Sequence, residues 1–303
     1  MAPPPLRFSL SASHAWRDSA LRGLFVPLSS SSEARAFIGA SRVGLLKTLQ
    51  HKLLTKVLSQ PDFDVNGRLD MYPLHIFSCS QLSRLFRVGG GGCDERFSSV
   101  LDIGSGVGLV TEKLTTLAPR SSIVTTEMSP VMCSRLRESG FECWEEDVAL
   151  TSSVRIAEGR RFELVSMLNV LDRTPRPRSL LSAAHGFLEP GGKLLLATPL
   201  PFRPFFFTAN HRLVGGKVPR WHMNSKYGQP LESLDLPAVV GGKFEDDADG
   251  TAWDLQAEAV LSEVLPEAGF KPVAFTRLPY VSGGDFFNEY FALDDLVLVA
   301  EKD

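Results

Sequence analysis

In Asp102-Ile103-Gly104-Ser105-Gly106-Val107-Gly108 an acid precedes three glycines set one residue apart, between an apolar run and an apolar periodic stretch. Glycine lets the backbone approach a ligand with no Cβ in the way, and free N–H groups at the start of a following helix add an electropositive rim. Dinucleotide-binding folds and plain tight turns use the same pattern. Glu127 lies about 20 residues further on, at the end of the next apolar run, where an acid accepts hydrogen bonds from both hydroxyls of a ribose. Asp102 separates the candidate cofactors. A carboxylate just before the turn repels a pyrophosphate, whereas the cationic sulfonium and ammonium groups of S-adenosylmethionine tolerate it. Ser105 lies within the turn and Met128 flanks the ribose acid. Asp147, after the third strand, is placed to take an adenine amino group; in its run with Glu145 and Glu146 it reads equally well as surface charge.

A second group of polar residues closes the fourth strand, in Leu168-Asn169-Val170-Leu171-Asp172-Arg173. Asn169 and Asp172 emerge at the same edge as the glycine turn, facing the place where a methyl group would be presented. The alternative for Asp172 is a helix cap. Near the end, Phe275-Thr276-Arg277-Leu278-Pro279-Tyr280 precedes a glycine pair and the aromatic run to Tyr290 and Phe291, a substrate pocket or equally an aromatic strand of the core. The six histidines show no ligand spacing, and no metal is expected. The four cysteines form no Cys-x-x-Cys pair, which argues against a zinc site or a disulfide framework and for a reduced compartment; Cys133 and Cys143 read as core residues.

The elements that must hold these groups are legible in the hydropathy pattern. Strands over 99–103, 122–126, 141–144, 162–168 and 193–198 alternate with helices over 109–117, 130–139 and 178–188, which specifies a doubly wound parallel sheet. A helix over 253–268, closed by Gly269, leads to apolar stretches at 272–276 and 296–300 that fit a final antiparallel hairpin. Residues 203–250, rich in Gly, Pro and Asn and holding the acids of 245–247, are too long for an ordinary connection and read as an insertion over the active edge. Upstream, residues 34–58 predict one amphipathic helix covering the main domain, 80–86 a short helix, and the glycines of 89–92 a hinge. Residues 1–96 thus form an N-terminal arm and helical cover, and 97–303 the catalytic domain.

Composition sets the outer limits. With 44% apolar and 22% charged residues over 303 positions, the chain has a globular balance and room for a sizeable core. A net charge of −3 gives no case for nucleic acid as the default substrate. No apolar run reaches spanning length. The first residues contain Ser and Arg and lack acids until Asp18, a transit-peptide-like start or simply an arm. A monomer in the cytoplasm is the expectation, with organelle or endomembrane association left open by that arm.

With these residues in view, the sequence resembles the DREV-type protein histidine methyltransferases, from about residue 66 to Asp303. The similarity is carried by Leu168-Asn169-Val170-Leu171-Asp172-Arg173, by Leu200-Pro201-Phe202-Arg203-Pro204, and by Phe275 to Tyr280 continuing through Asn288-Glu289-Tyr290 to Leu293-Asp294-Asp295. It implies a seven-strand, Rossmann-like methyltransferase fold and methyl transfer from S-adenosylmethionine to the pros nitrogen of histidine in His-x-His motifs of other proteins, yielding 1-methylhistidine. Carried over residue by residue, it implies that Glu127 binds ribose, that Asn169 and Tyr280 line the cofactor and the target imidazole, and that Asp172 engages the imidazole. Arg277, Tyr290 and Phe291 would then meet the substrate. Phe291 stands where the family has a tyrosine, so that hydroxyl is lost or passed to Tyr290. Val107 replaces a family acid, and the 208–250 segment exceeds the family pattern. A methyltransferase for a quinone or phenol and a non-catalytic cofactor-binding module are the competing readings.

Overall fold

The computed structural model describes residues 6–10, 16, 19–40, 45–57, 62–89, 96–207, 213–215, 230–238, 250–284 and 289–303. Its N-terminal part holds helices α1 (Ser19–Gly23), α2 (Ser32–Ala40), α3 (Leu45–Lys52) and α4 (Asp62–Leu69), the short strand β1 (Leu74–His75), and α5 (Cys79–Val88). Strand and helix then alternate through β2 (Val100–Ile103), β3 (Ile123–Glu127), α6 (Pro130–Glu138), β4 (Glu142–Glu145), α7 (Val148–Ala157), β5 (Phe162–Leu168), α8 (Pro177–Phe187) and β6 (Leu188–Leu200). Strands β7 (Phe205–Phe207) and β8 (Leu213–Gly215) pair with each other, α9 (Thr251–Ala259) follows, and β9 (Phe270–Gly283) and β10 (Tyr290–Lys302) close the chain.

The main sheet runs β1-β9-β10-β6-β5-β2-β3-β4. Strands β2 to β6 pair in parallel, whereas β10 runs antiparallel to β6 and β9. The chain passes from β2 to β3 and β4 on one side and returns to β5 and β6 on the other. That reversal is the topological switch point, so the carboxyl ends of β2, β3 and β5 form one ligand-binding edge. The expected doubly wound seven-strand sheet and its antiparallel hairpin are both present, and β1 adds an eighth strand beside β9.

Alternation of side chains along buried strands builds two cores. In β6, Leu194 and Leu196 pack with Leu180, Leu181 and Phe187 of α8 and Trp253 of α9. Leu195 and Ala197 face the other way, toward Leu82, Leu85 and Phe86 of α5 and Leu136 of α6. Local signals start these helices. Ser78 and Gln81 form a reciprocal capping box before α5, and Ser129 caps α6 ahead of Pro130.

Three stretches differ from the sequence reading. The stretch over 109–117 is a 3-10 helix at Thr111–Thr116, in which the Thr115 and Thr116 hydroxyls donate to the carbonyls of Glu112 and Lys113, three residues back. Such back-bonding competes with the α-helical pattern. Residues 148–157, without an assigned element at the sequence level, form α7, capped by Asp147. The single cover helix over 34–58 is instead α2, α3 and a π-turn at Leu53–Val57. In α3 the buried residue is Thr48, while Leu45, Leu46 and Leu49 stay 49–70% exposed, as does Leu53 at the start of the π-turn.

The N-terminal region is knitted into the sheet. Trp16 stacks on Phe275 at 5.2 Å between ring centroids, Val26 N donates to Phe275 O at 2.7 Å, and Ser129 donates to Asp64 at 2.5 Å. Together with β1, the backbone bonds of Leu24 and Val26 to Phe275 cover the outer edge of β9, which would otherwise present unpaired backbone groups, while Ser129 and Asp64 tie α4 to the start of α6. Of the 203–250 insertion, the β7–β8 pair and residues 230–238 are described; Glu232 accepts from Ser179 N at 2.8 Å and Asp235 pairs with Arg178 at 3.0 Å. The acids of 245–247 and most of the glycine run expected as a hinge lie outside the described residues.

Candidate active site

The glycine turn sits where β2 ends. Gly104, Gly106 and Gly108 all have positive φ, at 72°, 58° and 86°, which only glycine adopts freely. At Gly104 a Cβ would stand 2.6 Å from Cγ2 of Val170, so the turn also lies directly against the residue after Asn169. Glu127 closes the neighbouring strand. Its Oε1 accepts from Met128 N at 2.8 Å and Ser129 N at 3.0 Å, and its Oε2 from Gly106 N at 3.0 Å. The acid is therefore fixed by backbone amides and bridges the two turns, and of its roughly four lone-pair sites one, on Oε2, remains for a ribose hydroxyl. Burial raises its pKa, and the amides of Ser129, Met128 and Gly106 pull it back.

Asp102 lies behind the turn. Its Oδ1 accepts from Ser166 Oγ and its Oδ2 from Thr111 Oγ1, both at 2.6 Å, while Ser105 Oγ donates to the Asp102 carbonyl at 2.9 Å. Both carboxylate oxygens are engaged, so its influence on a ligand runs through charge and through bracing of the turn. Burial raises this pKa too, against the Ser166 and Thr111 hydrogen bonds. Met128 stands 66% exposed beside Glu127. Asp147 accepts from Ala149 N at 3.0 Å as the cap of α7, at the carboxyl end of β4.

The second half of the edge is built from distant strands. Asn169 follows β5 with φ 58°, a left-handed backbone that Asn tolerates better than most residues, and its N–H donates to Ala197 O at 2.9 Å. Its Nδ2 donates to Oδ2 of Asp295, 126 positions away on β10, at 2.8 Å. Asp172 is buried in a short 3-10 turn, Leu171–Arg173, and its Oδ2 accepts from Arg173 Nε at 3.1 Å. It does not cap α8. Thr174 Oγ1 instead accepts from Arg176 N at 3.1 Å ahead of that helix. Oδ1 of Asn169, Asp172 and Asp295 are all buried without a hydrogen-bond partner. Burial lifts the Asp172 carboxyl against the pull of Arg173, and lifts Asp295 well above the usual carboxylate range, with Asp172 and Asp294 pushing further.

Tyr280, on β9, is buried within electrostatic reach of Arg173, Asp295 and Asp172, and burial raises its phenol so that it stays a neutral hydroxyl. Strand register decides which other expected residues join it. Leu293 lies opposite Tyr280 and Asp295 opposite Leu278, so these share one face, and Phe291 lies on that face too. Phe291 is 41% exposed, 6.4 Å from the Tyr72 ring. Tyr290, opposite Gly283 in the register, alternates to the other face of the sheet. Arg277 is likewise on the far face. Buried, it lies 4.5 Å over the Trp253 ring and donates to Asp294 at 2.9 Å. The structure does not bring Arg277 or Tyr290 to the Asn169 cluster.

Asp295 and Arg173 belong to the cluster and were not singled out as site residues from sequence. The signal was present in Leu293-Asp294-Asp295-Leu296-Val297, where alternation puts one acid of the pair on a core face. A cavity of about 640 Å3 opens beyond β6, lined by Phe202, Arg203, Pro204, Leu234, Leu236 and Gln256. Among the described residues no cluster of His, Cys, Asp and Glu could hold a metal, and no helix is long and apolar enough to cross a membrane.

A doubly wound sheet with an antiparallel last strand, a glycine turn after its first parallel strand and a clamped acid after the second defines the class: a methyltransferase whose edge fits S-adenosylmethionine. The chain belongs to the DREV methyltransferase family, whose model matches residues 18–219 and 243–302. The match begins well before residue 66, and its gap falls inside the insertion. Curated relatives include a ubiquinone biosynthesis O-methyltransferase of Nitrosococcus oceani, 33% identical over 103 residues, covering 33% of this chain and 42% of the relative. Another, from Ruegeria pomeroyi, is 30% identical over 198 residues, covering 59% and 76%. The chain thus spans less than half the length of the first of these.

Solved structures align loosely. The 1,6-didemethyltoxoflavin-N1-methyltransferase of Burkholderia thailandensis, with bound S-adenosylhomocysteine, covers 91% of this chain and 92% of its own at 15% identity and a TM-score of 0.41. The N-methyltransferase NodS of Bradyrhizobium japonicum covers 74% and 85% at 18% identity and 0.39. Likeness at that level carries no information about the site.

Proposed function

We propose that this protein methylates the pros nitrogen of histidine in His-x-His segments of other proteins. The observation that carries the reading is Asp172, a buried carboxylate with Oδ1 unpartnered and Oδ2 held by Arg173, beside Asn169 at the cofactor edge. An acceptor of this kind suits a ring that must keep one N–H while its other nitrogen reacts. S-adenosylmethionine supplies a methyl carbon bonded to a cationic sulfur.

Imidazole, with a pKa of about 6.5, is largely neutral near pH 7, so strong base catalysis is unnecessary. Asp172 Oδ1 accepts the N–H of the tele nitrogen, which leaves the lone pair on the pros nitrogen. That pair forms the N–C bond in line as the C–S bond breaks and its electrons stay on sulfur, and positioning supplies the main part of the acceleration. The ring gains positive charge in that step, so the carboxylate holds the transition state more tightly than the neutral substrate. The product ring then returns its tele proton to solvent.

Small-molecule O-methylation is the second reading, favoured by the ubiquinone biosynthesis relatives. A phenol ends neutral after methylation and must give up its hydroxyl proton, so there a buried carboxylate would serve as proton acceptor and not as a partner of a cationic product. The test is incubation with labelled S-adenosylmethionine and, separately, a His-x-His peptide, its His→Ala versions and a catechol, followed by amino-acid analysis. N-pros-methylhistidine in the peptide arm is expected. Label in the catechol alone, or in the tele isomer, would overturn the proposal.

A further inference from the structure

We infer that Asp295 is a positioning residue, which turns the amide of Asn169 so that its carbonyl oxygen, and not its NH2, receives the ammonium group of the methyl donor. The inference rests on the donor reading of the glycine turn and is independent of the acceptor.

An Asn side chain has a donor end and an acceptor end of nearly equal shape, and its neighbours decide which faces a ligand. At Asn169 one neighbour dominates: Asp295 Oδ2 takes the Nδ2 end at 2.8 Å. The other end, Oδ1, is then left buried and unpartnered. The backbone that carries it is held in a left-handed conformation at φ 58° and by Asn169 N–H to Ala197 O, and the side chain itself is tethered by the bond to Asp295. Val170, the next residue, is pressed against Gly104 of the cofactor turn. The fixed acceptor thus stands beside the turn, where a cationic N–H group of the ligand would replace a costly orphan with a charge-assisted bond. An acid fully buried on a core strand is expensive, which is a reason to look for a role beyond packing.

The experiment is calorimetric titration of Asp295→Leu, Asp295→Asn, Asn169→Ala and the Asp295→Leu/Asn169→Ala double variant with two probes. S-adenosylhomocysteine carries the ammonium group; methylthioadenosine keeps the adenosine and lacks the amino-acid part. Asp295→Leu is expected to weaken S-adenosylhomocysteine about tenfold, the scale of one charge-assisted hydrogen bond, and to leave methylthioadenosine unchanged. The double variant should be no weaker than Asn169→Ala. Asp295→Asn, which keeps the shape and can still accept, should fall between wild type and Asp295→Leu; it carries the test if the leucine variant does not fold. Equal losses on both probes, multiplied losses in the double variant, or no loss in either single variant at 295 would overturn the inference. None of these readouts needs a methylated histidine, so failure of the proposed acceptor leaves this test standing.

Discussion

The two halves of the sheet edge satisfy their polar groups in opposite ways. On the side of β2 and β3, Asp102 and Glu127 have every carboxylate oxygen engaged, by Thr111, Ser166 and three backbone amides, and the partners lie within one strand-turn-strand unit and its neighbour β5. On the side of β5 and β10, Asn169, Asp172 and Asp295 each keep one buried oxygen unpartnered. The first half is a finished cradle that shapes itself before a ligand arrives. The second is a set of acceptors whose full satisfaction requires a donor from outside, and buried polar groups are seldom left in that state without a use. Under the two proposals the cradle holds the adenosine of the methyl donor, while the cluster takes the donor's ammonium group through Asn169 and the reacting ring through Asp172.

This division can be broken at either half. The largest effect is expected from Asp172→Asn, which should bind S-adenosylhomocysteine as wild type does and lose about 100-fold or more in kcat on a His-x-His peptide. Initial rates and calorimetry on the same preparation check it, and wild-type-like turnover would remove Asp172 from the mechanism. Next, Glu127→Ala removes the ribose acceptor and a clamp between two turns, and should weaken S-adenosylhomocysteine about 100-fold in titration while the acceptor half keeps its architecture.

A smaller effect is expected outside both halves. Arg277→Ala strips the ring of Trp253 of its stacked guanidinium and takes a cation from Asp294, which should cost about 3 kcal/mol of unfolding free energy in denaturant melts. Peptide KM should stay within a few-fold of wild type, and a large KM rise without loss of stability would put Arg277 back among the substrate contacts. The finest test concerns pH. Burial raises the Asp172 carboxyl and Arg173 opposes it, so Arg173→Ala should raise it further. Since the ionised form is the one that accepts the ring N–H, the acid limb of kcat/KM should move to higher pH in Arg173→Ala, and a limb that stays put would show that Asp172 does not titrate in the reaction.

Stability has its own pH signature in the acceptor half. Asp295 is raised well above the usual carboxylate range, so the folded chain binds its proton more tightly than the unfolded chain does. Its favourable contribution is full below about pH 4 and is lost as pH rises through the folded value. Asp295→Asn should accordingly gain in melting temperature over wild type as pH rises, and a constant gap would contradict the buried-acid account.

What the sequence determined by itself is the cradle and the winding of the sheet. Glycine spacing, the acid closing the next strand and the alternation of apolar runs are local properties, set by φ preference and side-chain periodicity, and they survive translation into three dimensions with little change. Asp172 and Asn169 were also legible, because a polar pair at the end of an apolar strand has few places to go. Only the tertiary structure decided which residues complete the cluster. Asp295 meets Asn169 across 126 positions, Tyr290 and Arg277 fall on the face away from that cluster by the two-residue period of β9 and β10, and α3 leaves Leu45, Leu46 and Leu49 exposed. The physical reason is common to all of them: pairing register and helix docking are settled by packing between distant segments, and no window of sequence contains both partners.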